Sequence, residues 1–344
     1  MECVPTVAYM ETRKVQLSGG TTYTVSLPKT WAEEHGIEAG SVLRMHTGDD
    51  GSLLVEASGN AGQSERAVEL TVSNDDDTIR RQLPAAYSVG VDAVTLIDQS
   101  RNPSERRPVV EDSVRGLSGF EVLETTESRI RLTNLIDAEN VDVRKSTLRL
   151  RLVVLAMHRD ALTAVCKGDE ALARQVIHRD DEADKLFSMI TRHFRRSLTN
   201  LREVRKLGYS RDELFEYYYA ARQFERIGDH AEKIATLSLE PDLSLSAAYI
   251  DRLSTVGDAV RDVVDDTATL LLESTDLDEI LAVTHDADRV LDDVDAFDRE
   301  LYDTDNPGEA YMLGLLLDSL RRTVEYGGNI ADIALQQRIR TAVE

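Results

Sequence analysis

In the stretch ARQFERIGDHAEKIA, residues 221–235, Glu225 and Asp229 stand four apart with Gly228 between them. A helix places such a pair on one face, with Cβ atoms about 5–6 Å apart. A glycine in a helix interior costs about 1 kcal/mol against alanine, so its presence suggests a close approach by a neighbouring helix or by the ligands of an ion. Asp180 and Asp184 have the same spacing in the preceding helical stretch. If the two helices are antiparallel neighbours, four carboxylates converge, repel one another and raise one another's pKa. A bound cation removes that penalty. Carboxylates from facing helices hold di-iron and di-manganese sites in bundles, and oxygen-only donors also suit magnesium, manganese and calcium. The competing reading is a solvated helix face. Asp258/Asp262 and Asp262/Asp266 share the spacing, and Arg222 and Arg226 can pair with the acids as surface salt bridges worth about 0–1 kcal/mol each.

The chain that must position these groups has 344 residues, 42% apolar and 30% charged. That is a soluble composition with room for about two domains or more. No apolar run approaches the ~20 residues that span a bilayer, and the N-terminus lacks the basic-then-apolar pattern of a secretory signal. Cys3 and Cys166 are the only cysteines, so no disulfide framework is expected and the expected location is the cytoplasm. The net charge is −23, spread along the whole chain, with arginine well in excess of lysine. Such a surface repels nucleic acid and anionic membranes unless basic residues are concentrated locally. It fits adaptation to high salt, a halophilic host, where self-repulsion is screened, and the alternative is simply an acidic protein.

Three textures divide the chain, and the expected fold class is multidomain. Residues 10–58 read as a small β module: KVQLSGGTTYTVSLP is a hairpin about Gly19 and Gly20, KTWAEEHGI a short helix, and two further strands follow. Its core is too small to stand alone, so strand exchange between two chains is expected. Residues 65–138 alternate strand and helix as a small α+β section, with no phosphate-cradling loop and no catalytic motif. From residue 142 the apolar spacing is helical throughout. ALARQVIHRDDEADKLFSMITRHFRRSLTNLREV reads as one long helix, and Pro241 separates two sets of three helices, 142–240 and 243–342. With an offset of about 100 residues, Arg222 lies over Arg322, Glu225 over Glu325, Gly228 over Gly328, Asp229 over Asn329 and Ala231 over Ala331. We read this as a duplicated three-helix bundle.

The run Glu225-Arg-Ile-Gly-Asp229-His-Ala, followed by Ile234-Ala235, and the preceding helix with Asp180 and Asp184, resemble the signature of the PhoU family of phosphate-uptake regulators. The resemblance implies two repeated three-helix bundles, each with an acid-x-x-x-acid cluster for a divalent or trivalent ion such as iron, zinc, manganese or magnesium. It also implies a regulatory partner, the ATPase subunit of the phosphate ABC transporter. By position, Asp180, Asp184, Glu225 and Asp229 form the first cluster. The second departs from the family's pattern, because Asn329 replaces an acid and the register of the preceding helix is ambiguous between Asp288/Asp292 and Asp292/Asp295. Asp292, Asp295, Glu325 and Asn329 are taken as its ligands. Lys233 stands where the family tends to carry a shorter polar residue.

Arg13-Lys14-Val, Tyr23-Thr-Val-Ser-Leu-Pro28-Lys29 and His35-Gly-Ile37-Glu-Ala-Gly40-Ser-Val-Leu resemble the AbrB/SpoVT swapped-hairpin module. That resemblance implies a homodimer through exchanged strands, and DNA contacts from Arg13, Lys14, Lys29 and Arg44. Elsewhere, His158, His178, His193 and His230 lack a zinc-site spacing, His230 is an outer-shell candidate beside Asp229, and Tyr217, Tyr218 and Tyr219 read as packing. The leading expectation is therefore a non-enzymatic, dimeric, metal-binding regulator of phosphate uptake. The alternative is an AbrB-type DNA-binding transcriptional regulator whose helical part senses phosphate or metal. A di-metal enzyme ranks last, since bundle enzymes of that class use Glu-x-x-His ligands.

Overall fold

The computed structural model describes residues 11–47, 51–57, 66–72, 76–98, 103–240, 245–273 and 276–343. The chain divides into two compact units, residues 1–65 and 66–344.

In the first unit, β1 (Gln16–Ser18) and β2 (Thr22–Thr24) form a hairpin with Leu17 opposite Tyr23. Gly19 and Gly20 both take positive φ at its turn, a region that side-chain-bearing residues avoid. The short helix α1 (Lys29–Glu34) follows, then the antiparallel pair β3 (Leu43–Thr47) and β4 (Leu53–Ala57). None of the described residues of this unit is buried. Tyr23 is 75% and Val42 73% exposed, beside Val15, Leu17 and Met45. Among the residues with described burial, the hairpins thus expose apolar side chains and bury none.

The second unit begins with β5 (Ala67–Val72), α2 (Asp76–Ser88), β6 (Ala93–Asp98), α3 (Pro103–Arg115), β7 (Phe120–Thr125) and β8 (Arg129–Asn134). The sheet order is β5-β6-β8-β7, with β5 parallel to β6 and β8 antiparallel to both its neighbours. Val94 pairs with Leu132 and Leu96 with Ile130, and this row packs with Ile79, Leu83 and Tyr87 of α2 and Val110 of α3.

The remainder is helical: α4 (Val143–Lys167), α5 (Glu170–Thr199), α6 (Leu201–Leu207), α7 (Arg211–Leu237), α8 (Ala247–Leu272), α9 (Leu277–Glu300) and α10 (Pro307–Val343). The long helices α4, α5 and α7 pack together, as do α8, α9 and α10, and contacts of α7 with α10 and of α4 with α8 merge the two bundles around one continuous core. Local chemistry sets the ends. Gly168 (φ +63°) closes α4, Asp169 caps α5 through the Leu172 amide, and Ser210 with Glu213 forms a reciprocal capping box at α7.

The sequence predicts one helix from residue 171 to 204, and the structure breaks it. Asn200 leaves helical geometry (φ −133°, ψ 105°), and its side chain accepts from the Arg202 amide to start α6. Asparagine bonds its own backbone readily and so competes with helix continuation. The turn returns Glu203, almost fully buried, onto α5, where it takes His193 Nδ1 at 2.7 Å and Arg196 Nε at 3.0 Å.

Candidate metal centre

Helices α5 and α7 run antiparallel: Asp180 and Asp184 lie by Asp229 at one end, while Phe194 stacks on Tyr218 and approaches Phe215 further along. Their contact is close because it is lined by small residues. A Cβ added at Gly228 would lie 3.3 Å from Val154 Cγ1, 3.4 Å from Asp180 Oδ1 and 3.8 Å from Ala183 Cβ. The glycine is therefore the near point of three helices and sits beside a carboxylate.

At this point Asp180, Asp184 and Asp229 each bring one oxygen to within 4.8 Å of the others. Glu225 adjoins them: Oε1 accepts from Arg222 Nη1 at 2.7 Å, and Oε2 is buried with no hydrogen-bond partner. Burial pushes the Asp180 carboxyl up to about 7, helped by repulsion from Asp184, Glu232, Asp229 and Glu225. Burial and then Asp229 push Glu225 up to about 7 against the pull of Arg222. Burial, then repulsion from Asp229, Asp181 and Glu232, raises Asp184 to about 6. Asp229 is also raised, by burial, while Arg222 and Arg226 pull it down. The outer sides of Asp184 and Asp229 face water, which screens their shares relative to Asp180 and Glu225. Glu232, raised by burial and by repulsion from Asp229 and Asp181, is a further acid of the group. Sequence reasoning passed over it, although it lies one helical turn beyond Asp229.

The residues present fit a hard or borderline cation. They offer only oxygens, from two facing helices, with one buried carboxylate oxygen unpaired.

The second set is arranged differently. Asp292 is exposed on α9. Asp295 accepts from Arg321 Nε at 2.8 Å, and a second Arg321 nitrogen lies 3.6 Å from Asp298. Glu325 pairs with Arg322 at 2.8 Å. Asn329 turns towards α7 and donates to Gln223 Oε1 at 3.1 Å. The structure does not bring these four together: among the described residues, the acids whose oxygens converge are Asp180, Asp184 and Asp229. The glycines differ too. A Cβ added at Gly328 would meet nothing within 4 Å, whereas one added at Gly327 would lie 3.5 Å from Val263 Cγ1 and Val264 Cγ2. His230 faces the seam between the bundles, its ring 5.8 Å from that of Tyr326, over which Arg226 also lies.

Residues 147–238, the segment that carries all four first-set acids, match the family model of the PhoU domain. The helical region is PhoU-like. Residues 16–62 match a second model, antidote-toxin recognition MazE, bacterial antitoxin, which is related in kind to the AbrB-like module expected there. Among solved structures, PhoU from Pseudomonas aeruginosa is 24% identical, covering 59% of this chain and 98% of its own, with a TM-score of 0.48. The phosphate transport system regulatory protein PhoU from Streptococcus pneumoniae is 18% identical, covering 56% and 91%, with a TM-score of 0.46. No curated protein matches the chain.

The four basic residues of the MazE-like unit are exposed. Arg13 pairs with Glu11, Lys14 precedes β1, Lys29 opens α1 with Glu33 at 3.6 Å, and Arg44 lies on β3. No helix among the described residues is long and apolar enough to cross a membrane.

Proposed function

We propose that this chain is a non-enzymatic regulator of phosphate uptake that holds a metal ion on its PhoU domain and works as a dimer. One observation carries the reading: carboxylates from α5 and α7 meet with raised pKa values, and the arginines beside them pair with only part of the group. Folding such a cluster without a counter-cation costs stability, and a bound ion offsets that cost. Asp180, Asp184, Glu225 and Asp229 hold the ion, and Mn²⁺, Mg²⁺, Zn²⁺ and iron are the ions to test. Asp292, Asp295, Glu325 and Asn329 form the weaker second site of this proposal, one that requires Arg321 to swing off Asp295. The partner is the ATPase subunit of a phosphate ABC transporter.

Dimerisation is the part of this reading supported by the N-terminal unit, whose strands expose apolar side chains and bury none among the residues with described burial. Exposed Lys14, Lys29 and Arg44 favour a second reading, DNA binding by the dimer.

Metal content of the purified protein tests the first reading, with Asp184→Asn and Asp229→Asn as comparisons. A tightly held ion lost in both variants supports it, and equal content in all three proteins overturns it. Co-purification with the transporter ATPase from phosphate-rich and phosphate-poor cells tests the partner. A shift assay across salt concentrations, with Lys29→Ala, tests DNA binding, which must weaken steeply with salt if it is carried by phosphate contacts.

A further inference from the structure

The middle α+β section grips α5 through two buried arginines. Arg192 is 1% exposed. Its Nη1 donates to the carbonyls of Tyr87 (3.0 Å) and Val91 (2.7 Å), and its Nη2 to Asp92 Oδ1 at 3.0 Å. The guanidinium lies 5.0 Å from the centre of the Tyr87 ring and 5.7 Å from that of Phe120. One turn on, Arg196 donates to the Gly90 carbonyl at 2.9 Å, pairs with Asp92 and reaches Glu203. The acceptors are the C-terminal end of α2 and the turn into β6. A helix end presents carbonyls that lack intrahelical partners and carries a partial negative charge. A planar guanidinium with donors in fixed directions suits such a socket better than a lysine does. Gly90 completes the fit: its φ is +85°, and a Cβ there would lie 2.4 Å from Arg196 Cγ.

Arg192 lies eight residues beyond Asp184 on the same helix, about 12 Å of rise. Near the acids, α5 meets α7 at Gly228 beside Ala183, and its pairs with α4, Glu182 with Arg149 at 2.6 Å and Arg179 with Asp160 at 2.9 Å, are at least partly open to water, which weakens such pairs. The acids there also push α5 and α7 apart. The buried directional hold on α5 is at the arginine end.

We propose that Arg192 and Arg196 are positioning residues for the acid cluster, and that the α+β section serves as the clamp that keeps Asp180 and Asp184 in register with Asp229. The inference rests on the metal reading above. It gives the middle section a role in binding, because whatever loosens or tightens its hold on α5 changes how well the cluster holds an ion.

The test titrates Mn²⁺ into the full-length protein, following free Mn²⁺ by electron paramagnetic resonance, and records metal-free melting in parallel. Gly90→Ala disturbs the clamp from the α+β side without changing a charge. Arg192→Met removes it, and Arg192→Lys returns part of it. Ile130→Ala, in the α+β core on β8 and without a contact to either arginine, is the control for lost stability. Loss of a group bonded directly to metal ligands costs about 10–100-fold in affinity, and Arg192 acts from further along the helix. Gly90→Ala and Arg192→Met should therefore bind more weakly by a few-fold to ~10-fold, Arg192→Lys should fall between, and Ile130→Ala should bind as wild type despite a lower melting temperature. Wild-type affinity in the clamp variants overturns the inference while leaving the metal reading standing, and so does a loss in Ile130→Ala that scales with its melting temperature. A wild-type protein that binds no Mn²⁺ overturns both. If Arg192→Met does not fold, Gly90→Ala against Ile130→Ala decides the matter.

Discussion

Binding of a cation to the α5–α7 cluster should release protons, and its affinity should fall sharply between pH 8 and pH 6. Asp180 and Glu225 titrate at about 7 and Asp184 at about 6 in the metal-free protein. An ion binds the ionised form, so each group weakens binding by the fraction of it that is protonated. Taken independently, two groups at about 7 each cost roughly tenfold between pH 8 and 6, and the third about twofold. Protonating one acid relieves the others, so the three do not act in full, and the expected loss is about 10–100-fold. The same shifts set a stability trend with a defined sign. These carboxyls have folded pKa values above their unfolded ones, so they contribute stability below the unfolded pKa and lose it as pH rises through about 6 to 7. Metal-free protein should be less stable at pH 8 than at pH 6.5, by about 1–2 kcal/mol after allowing for the water-facing sides. Saturating Mn²⁺ should reverse the trend. Calorimetry at pH 6, 7 and 8 in two buffers of different ionisation enthalpy measures both affinity and protons released. A flat affinity with no proton release would refute the reasoning, because the acids would then already be ionised without a cation.

Other consequences are open to direct measurement. His158 is buried with neither ring nitrogen hydrogen-bonded, and burial, with Arg261 adding, pushes its pKa down to about 4. The unfolded chain therefore takes up its proton first, and stability falls as pH drops from 6.5 towards 4, by about 3 kcal/mol at the lower end. In metal-free protein His158→Leu should flatten that fall in acid melting curves, and an unchanged slope would show that the ring is solvated. Gly228→Ala gains about 1 kcal/mol of helix propensity but sets a methyl 3.4 Å from Asp180 Oδ1. Melting should move little and Mn²⁺ binding should weaken, whereas unchanged binding would remove Gly228 from the site. Leu17→Asp, on the exposed hairpin face, should convert dimer to monomer in light scattering while leaving the melting of the helical region intact, and a persistent dimer would place the interface elsewhere.

The sequence made the helices legible because their apolar residues recur every three to four positions, and the strands legible because theirs alternate about glycine turns. The shared side of Asp180 with Asp184 was legible as well, since spacing fixes which side of a helix a residue shares, and their meeting with Asp229 was legible only as a condition on how α5 and α7 pack. What could not be read depended on groups far apart in the chain. The Asn200 break looks like ordinary polar helix until Glu203 is seen seated on Arg196 and His193. The arginine clamp rests mostly on backbone carbonyls, which every residue has, and its one side-chain acceptor in the α+β section, Asp92, is one acid among many in the sequence. In the second bundle, matching positions suggested matching chemistry. Arg321, where the first bundle has the buried Ala221, takes hold of Asp295 instead.

That arginine makes the two bundles unequal in kind. In the first, Arg222 answers one oxygen of Glu225 and leaves the converging aspartates to the proposed ion. In the second, Arg321 already sits on Asp295, so an ion must displace a tethered charge before it can enter the proposed weaker site. On that proposal, a chelator or a shortage of ions would empty the second bundle first, and the two halves of the helical body would answer the same solution at different concentrations.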